Sequence, residues 1–199
     1  SSRIELIPDT EPTGEDEGPD GTGSADDDNS NLTVDFGFVP RFDRGEAPDS
    51  YGTTVGANGP AHQIVSNLYL GNQVDDEDDG APSVNADGDN VASNDDEDGI
   101  TLPPLKAGTT IPIDLTVFNN TGGPATAILW IDYDGDGTFD PGVEAVTVTV
   151  PSSPTEQIIP VTISVPVTAD TTTGGNTYAR LRLTTDPITG GDPTGTAND

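Results

Sequence analysis

From residue 111 onward, apolar and polar positions alternate in short runs. Ile111, Ile113, Leu115 and Val117 alternate with Pro112, Asp114, Thr116 and Phe118. Val146, Val148 and Val150 alternate with Thr147 and Thr149, and Ile159, Val161, Ile163 and Val165 with Pro160, Thr162, Ser164 and Pro166. A period of two places every second side chain on one face, so each run predicts a strand with one buried face. Thr126-Ala-Ile-Leu-Trp-Ile131 is continuously apolar, as a central strand would be, and Tyr178-Ala-Arg-Leu-Arg-Leu183 closes the series. Turn residues separate the runs at 119–123, 151–154 and 173–175. Short β-branched strands, Gly/Pro turns and no amphipathic helix predict an all-β fold, a β-sandwich of jelly-roll-like type.

The first 40 residues follow a different pattern. Ile4, Leu6 and Ile7 mark one short apolar piece, and Leu32, Val34, Phe36 and Phe38 alternate with Thr33, Asp35 and Gly37 in another. Residues 8–30 between them hold almost nothing apolar and cannot bury enough surface to offset their chain entropy. Residues 1–40 therefore read as an extended acidic N-terminal arm with one or two strands and an acidic loop. The sequence carries no signal-peptide pattern, and Ser1 reads as the start of a mature or trimmed fragment.

Composition sharpens this picture. The 199 residues carry 36 Asp+Glu against 6 Lys+Arg, a formal charge of -30 at pH 7. That balance excludes most nucleic-acid partners, which are gripped by clustered cations, and an anionic membrane surface would repel it. No apolar run is long enough to span a bilayer, so no membrane insertion is expected. With Cys and Met both absent, disulfide and thiolate chemistry are excluded. Charge of this size swells a compact state, and six cations cannot neutralise it. The neutraliser must come from solution, as divalent metal or as high ambient salt.

The carboxylates are clustered, with nine between Asp9 and Asp28, eleven between Asp75 and Asp98, and five between Asp132 and Glu144. Clustering favours metal loops over a uniformly acidic, salt-adapted surface. The sharpest motif is Asp132-Tyr-Asp-Gly-Asp-Gly-Thr-Phe-Asp140. Asp at alternate positions with Gly after the third follows the calcium-loop pattern, because carboxylates two apart converge when the chain curls and Gly permits the bend. Asp132, Asp134 and Asp136 are candidate ligands, Thr138 would offer a backbone carbonyl and Asp140 a direct or water-mediated oxygen. The twelfth position, where an EF-hand places a bidentate Glu, is Val143, with Glu144 one residue later. The loop also leaves a strand, so calcium coordination in a β-protein is expected; the alternative is a solvated Asp/Gly turn. In the second cluster Asp75, Glu77, Asp87, Asp89, Asp95 and Glu97 are candidate Ca2+ ligands, since hard oxygens without His or Cys favour calcium over zinc or copper. The alternative there is a solvated acidic loop. The cluster at 9–28 lacks the loop spacing and reads more readily as a solvated linker.

Other residues point to structure. His62, the single histidine, has no Ser or Cys arrangement around it and reads as a packing or hydrogen-bonding side chain. Arg180 and Arg182 lie two apart on a strand and point the same way, to pair with the chain's own carboxylates or to bind an anion. Trp130 reads as core. Asn31-Leu-Thr33 and Asn119-Asn-Thr121 fit the N-glycosylation sequon, a weak signal.

Gly45-Glu-Ala-Pro-Asp-Ser-Tyr-Gly-Thr53, Ala61-His62, Leu68-Tyr-Leu-Gly71, Val74-Asp-Asp-Glu-Asp-Asp-Gly80, Asn94-Asp-Asp-Glu-Asp-Gly99, Trp130–Asp140 and Tyr178-Ala-Arg-Leu-Arg182 occur in that order. Together they resemble the GEVED-type domain of secreted bacterial surface proteins, over residues 41–199. Glu46 stands where Asp is usual, and the sequence stops at Asp199 where the family's Gly-Glu-Val-Glu-Asp motif and final strand would begin. Asn29-Ser-Asn-Leu-Thr-Val-Asp-Phe-Gly-Phe38 resembles the closing strand of the B-type repeats in serine-aspartate-rich adhesins. The resemblance implies an extracellular location, at the cell surface or in a secreted fibre, and a structural role.

The sequence is compatible with three functions. The first is a calcium-stabilised structural subunit or repeat of an extracellular fibre or adhesin stalk, assembling head to tail with other copies of itself. Strand exchange would use the arm, with Ile4, Leu6, Ile7, Leu32, Val34, Phe36 and Phe38 as subunit contacts. The second is an adhesive module for carbohydrate or protein on another surface, for which few aromatics are available. The third is an enzyme, for which no carboxylate pair can be singled out and no positioned base is seen; no catalytic residue is expected.

Overall fold

The chain divides into two units, Ser1–Val39 and Pro40–Asp199. The computed structural model describes residues 40–88, 99–170, 177–188 and 193–197, all in the second unit. The seven candidate subunit contacts of the arm, and Asp89, Asp95 and Glu97, lie outside the described residues.

The described residues are all-β, with nine strands in three sheets. In chain order the strands are β1 Phe42–Asp43, β2 Ala61–Gln63, β3 Leu68–Leu70, β4 Thr110–Asn119, β5 Ala125–Ile131, β6 Ala145–Val150, β7 Gln157–Ser164, β8 Ala179–Thr184 and β9 Thr196–Ala197. Two short 3-10 turns, Asp49–Tyr51 and Val55–Ala57, lie between β1 and β2. The sheets run in the orders β1-β2-β9, β3-β4-β7 and β6-β5-β8. Every neighbouring pair is antiparallel except β2 with β9.

The five runs expected from sequence correspond to β4 through β8. Ile113, Leu115 and Val117 of β4 and Val161 and Ile163 of β7 are buried, whereas Pro112, Asp114, Pro160 and Thr162 between them are exposed. With Ala127, Leu129 and Ile131 of β5, Val150 of β6 and Leu183 of β8, they form one apolar cluster drawn from both of the larger sheets. Ile128 and Trp130 on the opposite face of β5 join a second cluster with Ala47, Tyr51 and Phe139. Burial on both faces is why the β5 sequence shows no alternation.

Proline in strands is tolerated here for a readable reason. The Thr116 N–H donates to Gly99 O at 2.8 Å, away from β7, so the even-numbered residues of β4 turn their N–H groups from that neighbour. Pro112 pairs with Thr162, and Asp114 with Pro160, in the same class of position. Neither proline therefore removes a bond of the β4–β7 ladder.

Arg180 and Arg182 do share a face, and both are buried. Arg180 donates to Tyr51 O at 3.0 Å, Pro193 O at 3.1 Å and Thr53 Oγ1 at 3.1 Å, and its guanidinium stacks 5.2 Å from the Phe139 ring centroid. A carboxylate partner was expected; backbone carbonyls and a hydroxyl are found instead, because the residue faces loop backbone. Burial, and next the charge of Arg182, push its pKa down to about 10. Arg182 donates to His62 Nε2 at 2.8 Å and to Thr194 O and Gly195 O at 2.6 and 2.8 Å. His62 is thus a hydrogen-bonding histidine, with Nε2 the acceptor. The Asn119 sequon is structural: its buried amide donates to Gly123 O and Val150 O and accepts from Thr121, which leaves no acceptor site for a glycan.

Removing side chain from the main cluster should destabilise far more than trimming the outer face. Leu115→Ala should cost about 2–5 kcal/mol in urea unfolding. Ile158→Ala, on the exposed face of β7, should stay within roughly 0.5 kcal/mol. Equal costs would contradict the assignment of faces.

Candidate metal centre

The loop after β5 is anchored before it begins to turn. Asp132 still belongs to the ladder, its N–H donating to Tyr178 O at 3.1 Å and its carbonyl accepting from the Thr177 hydroxyl. Its side chain follows Ile128 and Trp130 onto the second cluster and is fully buried. There Oδ2 accepts from the Tyr51 hydroxyl at 2.7 Å and from Gly137 N at 3.0 Å, and Oδ1 accepts from Gly135 N at 2.7 Å. The chain curls around this carboxylate because Gly135 and Gly137 adopt φ of 71° and 88°, a region costly for other residues.

The curl brings the next two acids to the same place. Ligand oxygens of Asp132, Asp134 and Asp136 lie within 4.8 Å of one another, the first buried and the other two exposed. Asp134 Oδ1 accepts from Asp136 N at 3.3 Å, and Asp136 Oδ1 accepts from Thr138 N and Thr138 Oγ1, both at 2.8 Å. Desolvation raises the Asp134 carboxyl above its ordinary value; the Asp136 N–H works against this, while the charges of Asp136 and Asp132 add to it. Burial, then the bond to Asp132, holds the Tyr51 phenol well above its usual pKa, so it stays a donor.

The residues present fit a hard cation. Every convergent donor is a carboxylate oxygen, with no imidazole or thiolate in the group. A carboxylate offers about four lone-pair sites, and Asp132 uses three of them on Gly135, Gly137 and Tyr51. One site stays available for an ion. Asp132 would hold the ion from below, with Asp134 and Asp136 closing on it from solvent.

Asp140 does not join the group of converging carboxylates. The Thr138 hydroxyl is committed to Asp136, and Asp140 enters the loop through its backbone. What closes the loop is Glu144, which is buried. Its Oε1 accepts from Tyr133 N at 2.7 Å and its Oε2 from Asp140 N at 2.6 Å, clamping both ends of the loop. Burial raises its pKa, the two N–H donors offset part of that, and the charges of Asp132 and Asp134 add to the rise. Glu144 and Tyr51 hold the loop in place and are the residues that motif reading missed. The EF-hand template places its last acid at the twelfth position, one before Glu144, and nothing local ties Tyr51 to a residue 81 positions away.

The second acidic cluster is arranged otherwise. Glu77 Oε2 accepts from Arg44 N at 2.7 Å, Asp79 Oδ1 from Val55 N at 2.6 Å, and Asp87 Oδ1 from Ser83 Oγ at 2.7 Å. Asp76 forms an exposed ion pair with Arg41. These carboxylates tie the loop down to β1 and the second 3-10 turn. Among the described residues, Asp75, Glu77 and Asp87 do not converge as a ligand group.

Glu144→Ala should destabilise the chain by roughly 1–3 kcal/mol for each buried N–H it orphans, measured by urea unfolding in chelator. Glu144→Gln, which keeps one accepting oxygen, should lose less. A variant as stable as the parent would show that the clamp contributes nothing.

No curated protein and no solved structure matches the chain. Residues 126–199 match the family model of the GEVED domain, a span that begins in β5 and takes in the Asp132–Asp136 loop, Glu144, β8 and β9. Over that span, which carries the candidate metal centre, the chain is similar to the GEVED domain family.

Proposed function

We propose that the protein is a calcium-stabilised structural module of an extracellular fibre or adhesin stalk, built as a jelly-roll-like β-sandwich and assembling head to tail with copies of itself. The observation that carries this reading is the Asp132 group: three converging carboxylates anchored through one buried aspartate to the second apolar cluster. An ion there would bind an element of the fold itself, so its binding energy would become folding energy. The charge of -30 points the same way, because a divalent cation among carboxylates attracts each of them and offsets their mutual repulsion. Among the described residues no helix is long and apolar enough to cross a membrane.

The use of the aromatics favours a structural over an adhesive or catalytic role. Trp130 is fully buried, and Tyr51 packs at 4.9 Å from Phe139 and 5.1 Å from Tyr178, ring centroid to centroid. These rings hold the loop and offer no flat platform to a sugar. The single histidine is engaged by Arg182.

Calcium should raise the melting temperature of chelated protein. A ligand binding only the folded state stabilises by about 2.7 kcal/mol at a hundredfold excess over Kd, and extracellular sites bind at roughly 10⁻⁴–10⁻³ M. Millimolar calcium should therefore shift the melt of the parent and much less that of Asp134→Ala. A melt indifferent to chelator would overturn the reading. For assembly, light scattering in millimolar calcium should give multimers for the full chain and monomers for Phe36→Asp. A monomeric full chain at high concentration, or multimers that survive Phe36→Asp, would refute it.

A further inference from the structure

We propose that the outer edge of β6 is the docking surface for a second copy of this chain, which adds residues 32–38 there as an extra strand. The proposal rests on the head-to-tail reading above and names the acceptor. The direction of the β6 backbone groups follows from the ladder. Ile131 N donates to Glu144 O at 3.1 Å, and the register continues with Leu129 opposite Val146 and Ala127 opposite Val148. These are the hydrogen-bonded pairs, so Ala145, Thr147 and Thr149 turn their N–H and C=O groups away from β5. Among the described residues β6 ends its sheet, and those groups meet no further strand.

Other edges of the larger sheets are less open. On β7 the same reasoning turns Ile158, Pro160, Thr162 and Ser164 outward, and Pro160 has no N–H to offer in the middle of that edge. β3 has three residues, too few for a stable addition. β8 runs beside β3, and its Arg182 holds the Thr194 and Gly195 carbonyls. β6 reads Ala-Val-Thr-Val-Thr-Val, with no proline, charge or bulge to blunt it.

The faces also match. Val146 and Val148 are half-buried at the rim of the main cluster, near the partly buried Ile159 of β7, while Thr147 and Thr149 are exposed on the other face. A strand beside β6 would therefore need apolar side chains on one face and small polar ones on the other. Residues 32–38 have that alternation, Leu32, Val34, Phe36 and Phe38 against Thr33, Asp35 and Gly37, over a length equal to that of β6 plus one. They belong to the Ser1–Val39 unit, outside the one that contains β6. Backbone bonds would supply affinity, and the apolar face would cover the rim.

The test uses the full-length chain with residue-resolved amide hydrogen exchange, comparing dilute protein in chelator with concentrated protein in millimolar calcium. The Thr147 and Thr149 amides should become protected on assembly, with no comparable change at Thr162 on the β7 edge. Thr147→Pro, which removes an outward N–H and no bond to β5, should lose the multimer while keeping the parent's melting temperature. Thr162→Pro should keep the multimer. Multimers that lose Phe36→Asp but leave Thr147 and Thr149 unprotected would overturn the β6 assignment and spare the head-to-tail reading. A full chain that stays monomeric overturns both. Should Thr147→Pro fail to fold, the exchange pattern of the parent decides alone.

Discussion

The carboxylate of Asp132 is buried at the end of the central strand, and most of what is distinctive in the structure is arranged around it. Burying a carboxylate costs on the order of several kcal/mol unless hydrogen bonds replace its water. Here the replacements are Tyr51 Oη, Gly135 N and Gly137 N. Together they tie two separate pieces of chain to the same point. Tyr51 brings the 3-10 turn at Asp49–Tyr51 against Phe139 and Tyr178, and the two glycines wrap the loop. The loop and the second apolar cluster are consequently one object, and a change at Asp132 would be felt in both.

This coupling gives the net charge a place to act. Asp134 and Asp136 are held near Asp132 by bonds to the N–H groups of Asp136 and Thr138, so local backbone geometry brings like charges together. Desolvation first, and the charges of Asp136 and Asp132 after it, raise the Asp134 carboxyl above its ordinary value. Elsewhere the chain spends its acids differently. Glu77, Asp79 and Asp87 accept from backbone or hydroxyl donors and act as latches for a long loop. The same residue type thus serves as anchor, latch and candidate ligand, distinguished by what its oxygens meet.

Period-two alternation made β4, β6 and β7 legible in the sequence, and a continuous apolar run did so for β5, because those strands are long enough to show a pattern. β2 and β3, with three residues each, carry no period, and their pairing with distant segments was invisible. The Asp132–Asp136 loop was legible because its converging carboxylates are close in sequence. Glu144 was not, since a clamp that bonds backbone N–H groups has no fixed spacing to a ligand motif. Asp75, Glu77 and Asp87 show the converse: a run of acids states where charge is and leaves open which hydrogens it meets.

The most direct test of the account is calorimetric titration of calcium into chelated protein, beside the same titration of Asp136→Asn. A saturable binding isotherm is expected for the parent, with loss of that phase in the variant, whose folded spectrum is retained. An isotherm with no saturable phase, or the same phase in both proteins, would contradict it.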